Sequence, residues 1–552
     1  MRPRLLPGGY RKPLKFALVA LSCIALSTFV AGGSSGEEDD DNAVPLTVPK
    51  AVCGLDDHPE TGLQGQVPAA LRATGFRGFN CNLQLIGQFR GEGANWQTTE
   101  FRDEHHHICA YHGTASPTFS TANRTNLGVR VIDVTDPDDP TATTYLQTPS
   151  MLDPWESLKV NERRQLLGAD NGQNGGGGPE VDIYDVSRDC RTPQLLGSVK
   201  VGQPDGSTGL AHGVIGHEGA WAPDGLTYYG GDLRYTYTVP GSGAAASGQY
   251  YAVDTADPMH PSLITFWTTK IAGSNVHGMS ISDDGKRGYF VSIGGLSGSP
   301  ADLTNPAVPA NNGLLIYDLS EIQARVPNPQ VRLISKLLWK DGSVSQHTIP
   351  VKIDGRPYVI FVDEGGSGGI SSPAQEQAAC AAGFPPFPMA RIIDIRDETK
   401  PKIVSRLALE VHNPANCAKV LPDLVGLSIF TYGSHYCSVD NKHRATTLAC
   451  GYFNSGIRVF DIRNPRRPKE IAYYNPAGET TASSGSNHTL RNNFVPGGPD
   501  WCSAQTHLRI SEDHGRQGTL WTTCQDNGLL MLKFENGVWP FEDSSTPPGQ
   551  QN

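Results

Sequence analysis

"GVRVIDVTDPDDP", residues 128–140, is the stretch on which the fold turns. A glycine leads into a short β-branched run, the run ends on an aspartate, and a turn closes on proline. β-Branched and aromatic residues suit a pleated strand, while Asp and Pro favour the turn that follows. The pattern returns at "EVDIYDVSRDCRTP" (180–193), "QYYAVDTADPMHP" (249–261) and "GLLIYDLSEIQARVPNP" (313–329). It returns again at "ARIIDIRDETKP" (390–401) and "GIRVFDIRNPRRP" (456–468). A degenerate seventh copy, "GLLMLKFEN" (528–536), carries Lys533 in place of the aspartate.

The surroundings repeat with it. Before most copies stands a strand–turn–strand pattern, as in "HGMSISDDGKRGYFVS" (277–292) and "HYCSVDNKHRATTLACGYF" (435–453). After the proline comes one more apolar strand, as in "SLITFWTT" (262–269). One unit is therefore four antiparallel strands, A to D, with the opening stretch as strand C. Seven such units predict an all-β chain folded as a seven-bladed β-propeller, in which radial packing hides the sheet edges. The last unit lacks a strand D, and "CNLQLIGQF" (81–89) is the strand expected to complete it and clasp the ring.

These repeats resemble the LVIVD-repeat family, named for strands such as "VRVIDV" and "IRVFDI", over about residues 81 to 536. The resemblance implies an exported or surface-attached β-propeller. It implies no particular reaction.

Residues 1–33 read as a signal peptide: Arg2, Arg4, Arg11, Lys12 and Lys15 precede the apolar run 16–31, and small residues follow. Residues 34–80 read as a linker and N-terminal extension, 81–536 as the propeller and 537–552 as a tail. Sixteen apolar residues are short for a membrane span, and none is expected after signal removal. Removing Cys23 with the signal leaves ten cysteines without a CxxC, which favours disulfides in an exported chain. Cys437 with Cys450, and Cys502 with Cys524, sit symmetrically about hairpin turns and are predicted to pair. The location expected is secreted, periplasmic or cell-surface. Net charge is −11 and basic residues never alternate with aromatics, so nucleic acid is not an expected partner.

In such a blade the A–B and C–D turns lie on one face, and here they are short. The long B–C and D–A connections, among them 231–248, 365–388, 410–433 and 475–504, gather on the other face. Long loops on a rigid scaffold are where function collects. His217, His277, His347, His435 and His507 each open strand A, the innermost strand, and are expected to crowd the channel mouth on that face. Glu156 belongs to the same mouth, and Asp232 and Glu364 end strand B beside it.

Two readings of the histidines stand. They hydrogen-bond neighbouring carboxylates within blades, as His217 with Asp232, His347 with Asp363 and His507 with Asp526 would. Alternatively they ligate copper, iron or zinc, with carboxylates outside them. The second makes the chain a metal-dependent oxidoreductase, copper or iron, acting on a small substrate, with Glu156, Asp232 and Glu364 handling protons. The rival class is a non-catalytic recognition module that presents Trp221, Tyr228, Tyr235, Tyr237 and Tyr250 to an extracellular protein or glycan.

Overall fold

Every strand C that carries the aspartate uses it in the same way. In a computed structural model of the chain, the carboxylates of Asp133, Asp185, Asp254, Asp318, Asp394 and Asp461 each accept the backbone N–H two residues on, at 2.8–3.0 Å. This Asx turn ends strand C and starts the C–D turn. In the seventh copy, where Lys533 replaces the aspartate, Glu535 N–H donates instead to the Asn82 carbonyl at 3.0 Å.

The structure describes residues 47–541 except 95, 114–125, 173–178, 205–210, 213, 295–299, 371, 428, 479–496 and 512–516. Blade 1 is Thr98–Arg102, Ile108–His112, Val129–Asp133 and Thr141–Leu146, in the order A to D. Blade 2 is Lys159–Asn161, Leu166–Asp170, Val181–Asp185 and Gln194–Val199; blade 3 is Gly219–Trp221, Thr227–Thr238, Ala245–Asp254 and Ser262–Trp267. Blade 4 is Met279–Ile281, Arg287–Ser292, Asn312–Asp318 and Arg332–Trp339; blade 5 is Ser343–Ile353, Arg356–Gly365, Ala390–Asp394 and Lys402–Leu407. Blade 6 is Cys437–Val439, Thr447–Gly451, Ile457–Asp461 and Lys469–Asn475; blade 7 is His507–Ser511, Gln517–Cys524 and Gly528–Phe534. Leu83–Phe89 supplies strand D of blade 7, with Leu83 opposite Phe534 and Phe89 opposite Leu529. The chain is thus the expected seven-bladed β-propeller, closed by its N-terminal strand.

The N-terminal boundary differs from expectation. Phe79–Cys81 adds a fifth strand to blade 6, with Phe79 opposite Asn475, so adjacent segments of the chain seal two blades. Nor are residues 47–78 a linker. Val48, Val67 and Phe76 are buried with Leu409, Leu448 and Tyr473, and a short helix, Ala69–Thr74, lies against the loop at Asp423. Scattered apolar residues between polar ones anchor this segment without any periodic signal. Its acid Glu60 joins Glu470 around the fully buried Arg458 guanidinium, which also lies over the Tyr473 ring at 4.7 Å. The tail also begins later than expected, since Trp539 is buried against Phe534 at 4.8 Å between ring centroids. Residues 1–46 and 542–552 lie outside the described residues.

All ten cysteines that follow the apolar N-terminal run pair. Cys437–Cys450 and Cys502–Cys524 join as expected, with Cα atoms 4.0 and 4.2 Å apart. Cys53–Cys81 ties the extension to its own strand, Cys109–Cys190 links blades 1 and 2, and Cys380–Cys417 joins the two long loops after strand B and strand D of blade 5. The stretch 231–248 is not a loop but the far half of a hairpin. "LRYTYT" alternates in strand fashion, strands B and C continue past a bulge, and Thr238 pairs with Ala245.

Two substitutions separate the kinds of stabilisation here. Arg458→Leu strands Glu60 and Glu470 in the interior and is expected to cost about 3–5 kcal/mol. Asp394→Ala removes one Asx turn and should cost about 1 kcal/mol. Denaturant unfolding midpoints check both.

Candidate functional site

The strand ladders decide which residues reach the channel mouth together. In blade 3, Gly219 pairs with Gly230 and Gly230 with Tyr251, which sets His217 level with the residue five before Asp254. The same count sets His277 and His435 at that level in blades 4 and 6. In blade 2 the residue at that level is Glu156, and in blade 1 it is Trp96. His507 pairs with Trp521, itself opposite Met531, and stands three residues deeper along strand A, about 10 Å down the channel. In blade 5, strand A begins at Ser343, four residues before His347, and a register break between Ser345 and His347 turns Gln346 toward the site instead.

The carboxylate of Glu156, 1% exposed, is the centre of the group. Its Oε2 lies 2.9 Å from His217 Nε2 and 3.3 Å from His277 Nε2, and its Oε1 lies 3.0 Å from His435 Nε2. Glu364 Oε2 approaches the same His435 Nε2 at 3.0 Å, and the Gln346 amide stands 3.1 Å from it. On their far sides, His277 Nδ1 faces the Gln346 carbonyl at 3.0 Å and His435 Nδ1 faces the Ser503 carbonyl at 2.7 Å. A carbonyl oxygen only accepts, so both rings carry their proton on Nδ1. A neutral ring then turns the Nε2 lone pair onto a carboxylate oxygen, which also only accepts. A positive group must stand between them, either a second proton or a metal ion.

The electrostatics show how a proton would fill that gap at His435. Burial pushes the imidazolium down, but the charges and hydrogen bonds of Glu156 and Glu364 overcome it and raise His435 to about 10. Burial likewise opposes ionisation of Glu156, yet His217 and His435 hold it well below the usual carboxylate range. His277 is driven the other way, to about 4, by burial and then by His217, against the pull of Glu156. His217 Nδ1 has no hydrogen-bond partner among the described residues.

Above the group lies a cavity of about 160 Å³, lined by Trp96, Trp155, Leu233, Ile293, Phe430 and Phe453 with the charged residues at its floor. Trp96, Trp155, Phe430, Phe453 and Trp501 form one aromatic cluster, and Phe453 packs on Trp501 at 4.7 Å between ring centroids. Three of these rings come from the loops around blades 5 and 6, where no periodic pattern marks them in the sequence. Trp155, Val344, Phe430 and Phe453, all lining the cavity, hold φ angles of 46°, 48°, 56° and 43°. The left-handed region is costly for a β-branched or aromatic residue, and such strain gathers where a site over-determines the backbone.

Several sequence expectations are corrected by this geometry. His507 stacks on Trp521 at 4.1 Å and meets Thr98 Oγ1 at 2.8 Å, between blades 7 and 1. His347 stacks on Tyr436 at 4.6 Å and lines a second cavity, of about 520 Å³, toward the opposite end of the channel with Lys159 and Glu218. The ring of five histidines is therefore a group of three. Asp232 lies outside the cavity lining and accepts from Ile215 N, Arg234 N and Gln249 Nε2, bracing its own hairpin. The carboxylate pairings proposed within blades are not formed either: His217 faces Glu156 of the preceding blade, and Asp363 takes Arg391, Trp339 and Asn312. The aromatic binding face shrinks too, since Trp221, Tyr228 and Tyr250 are buried and only Tyr235 and Tyr237 stay partly exposed.

No protein-family model and no curated protein matches the chain. Solved structures similar to it include a candidate 6-phosphogluconolactonase from Bacteroides uniformis, 13% identical, covering 77% of this chain and 94% of that one with a TM-score of 0.41. The hydrazine synthase of Kuenenia stuttgartiensis is 12% identical, covering 81% and 97%, with a TM-score of 0.41. A nidogen/laminin complex is 8% identical, covering 63% and 90%, with a TM-score of 0.32. At these identities and scores the likeness extends to neither chemistry nor partners.

The sorting of the histidines is testable by stability alone. His507→Ala removes a stacked ring and a buried hydrogen bond and should cost about 1–3 kcal/mol in urea unfolding, although the Thr98 hydroxyl still donates to the Gln505 carbonyl.

Proposed function

We propose that this chain is an exported, disulfide-braced propeller of the LVIVD-repeat kind that binds a transition metal at Glu156, His217, His277, Glu364 and His435, and that it is an oxidoreductase acting on a small substrate. One observation carries the reading. His277 and His435 spend their Nδ1 protons on backbone carbonyls while their Nε2 atoms face carboxylate oxygens at 3.3 and 3.0 Å. Donors about 2.0–2.1 Å from a common ion lie about 2.9–3.4 Å apart at tetrahedral or octahedral angles, which is the spacing seen. The backbone carbonyls then serve as the outer contacts that fix ring orientation.

Imidazole with carboxylate suits copper, iron or zinc, and the redox-active pair, copper or iron, would supply electron transfer. The chain's own part is to hold the donors rigid, to keep water from them under the aromatic roof, and to admit a substrate small and apolar enough for the cavity above. Five disulfides accord with an oxidising compartment.

Metal analysis of protein purified without chelators tests this directly. Wild-type protein and the His347→Ala and His507→Ala variants should retain copper or iron. His277→Ala and His435→Ala should lose more than about 100-fold in affinity, as loss of a ligand exceeds the 10–100-fold effect of outer contacts. Added metal at 100 times Kd should stabilise wild-type protein by about 2.7 kcal/mol, read as a rise in Tm. Protein that takes up neither metal overturns the proposal.

A further inference from the structure

We infer that the site holds two metal ions rather than one, bridged by the Glu156 carboxylate; this rests on the metal reading above. The donor atoms fall into two groups, not one. Glu156, His217 and His277 offer atoms within 4.8 Å of one another, as do Glu156, Glu364 and His435, and no group of that tightness joins all five among the described residues. Donors of a single ion with bonds of about 2.0–2.1 Å can stand no more than about 4.2 Å apart, even on opposite sides of it. Five donors around one ion would therefore have merged into one group.

The carboxylate is split in the same way. Oε2 of Glu156 serves His217 and His277, and Oε1 serves His435, whose Nε2 also meets Glu364. One oxygen per ion is how a carboxylate bridges two metals about 3.5–4 Å apart. His217, His277 and Glu156 Oε2 make one set of three protein donors, and His435, Glu364 and Glu156 Oε1 the other. The Gln346 amide beside His435 can add a fourth to the second set, because a half-turn presents its carbonyl oxygen in place of its nitrogen. Three-donor sites leave coordination positions open. The cavity lined by Trp96, Trp155, Phe430 and Phe453 adjoins both sets, so the open positions suit a small exogenous ligand that spans the pair. Azide, a small bridging anion, is the probe.

The test is copper loading of the full purified chain, read by metal analysis and electron paramagnetic resonance. Two Cu(II) per chain with the half-field transition of a coupled pair, and a new azide charge-transfer band that saturates at one azide per chain, is the expected result. Glu364→Gln and His217→Ala, checked for folding by circular dichroism, should each fall to one copper and lose the half-field line. One copper in wild-type protein overturns the pair and leaves the metal reading standing. Two coppers without coupling, or a coupled pair that survives Glu364→Gln, also overturn it. No bound copper or iron at all overturns the metal reading itself.

Discussion

A carboxylate shut away from water and faced by three imidazole edges constrains everything around it. Glu156 cannot remain ionised at 1% exposure without positive partners, and His217, His277 and His435 reach it from three other blades. An isolated buried charge costs several kcal/mol, so the approach of these blades and the protonation or metallation of the site are a single problem. The propeller solves it by bringing the inner strands to one axis, where residues far apart in sequence become neighbours at one level. Glu156 holds in blade 2 the level that histidine holds in blades 3, 4 and 6.

The scaffold around this centre is built to resist movement. Cys437–Cys450 staples strands A and B beside His435, and Cys502–Cys524 secures the loop whose Ser503 carbonyl receives the His435 proton. Cys380–Cys417 joins the two loops that supply Ile370 and Phe430 to the cavity wall. The positive φ angles of Trp155, Val344, Phe430 and Phe453 persist because this framework holds the backbone against its preference.

The architecture was legible in the sequence because strand C is written strongly. Its apolar run is buried in every blade, and in six of them its Asp acts locally, on the N–H two residues away, so the pattern survives without knowledge of the fold. Both hairpin disulfides were legible for the same reason, since the partners lie across one turn. The site was only half legible. Strand A is three residues long in blades 2, 3, 4 and 6, too short for periodicity to set its register. Histidines that merely precede an apolar run therefore looked equivalent when His507 lies three residues deeper and His347 follows a register break. Glu156, Glu364 and three of the histidines belong together; Asp232 was expected to end strand B but lies in its middle, just before the bulge, and spends its carboxylate on its own hairpin. Of the aromatic roof, Trp96 and Trp155 stand at or beside the repeated level of blades 1 and 2, but Phe430, Phe453 and Trp501 left no periodic trace, because they come from irregular loops whose meeting is a property of the closed ring.

The clasp between Leu83–Phe89 and Gly528–Phe534 sets an order on events during synthesis. One of the first propeller strands made is also the last to find its partner, because that partner is strand C of the seventh blade. Until then "LQLIGQF" is an unpaired edge, and the half-formed ring exposes another at the growing end. Ribosomes add roughly 5–20 residues each second, and unpaired strand edges promote aggregation meanwhile. A chain built in this way gains from being kept unfolded by a carrier until both ends are available. It also cannot release a partly functional product, since the axis on which the site depends exists only after the two ends have met.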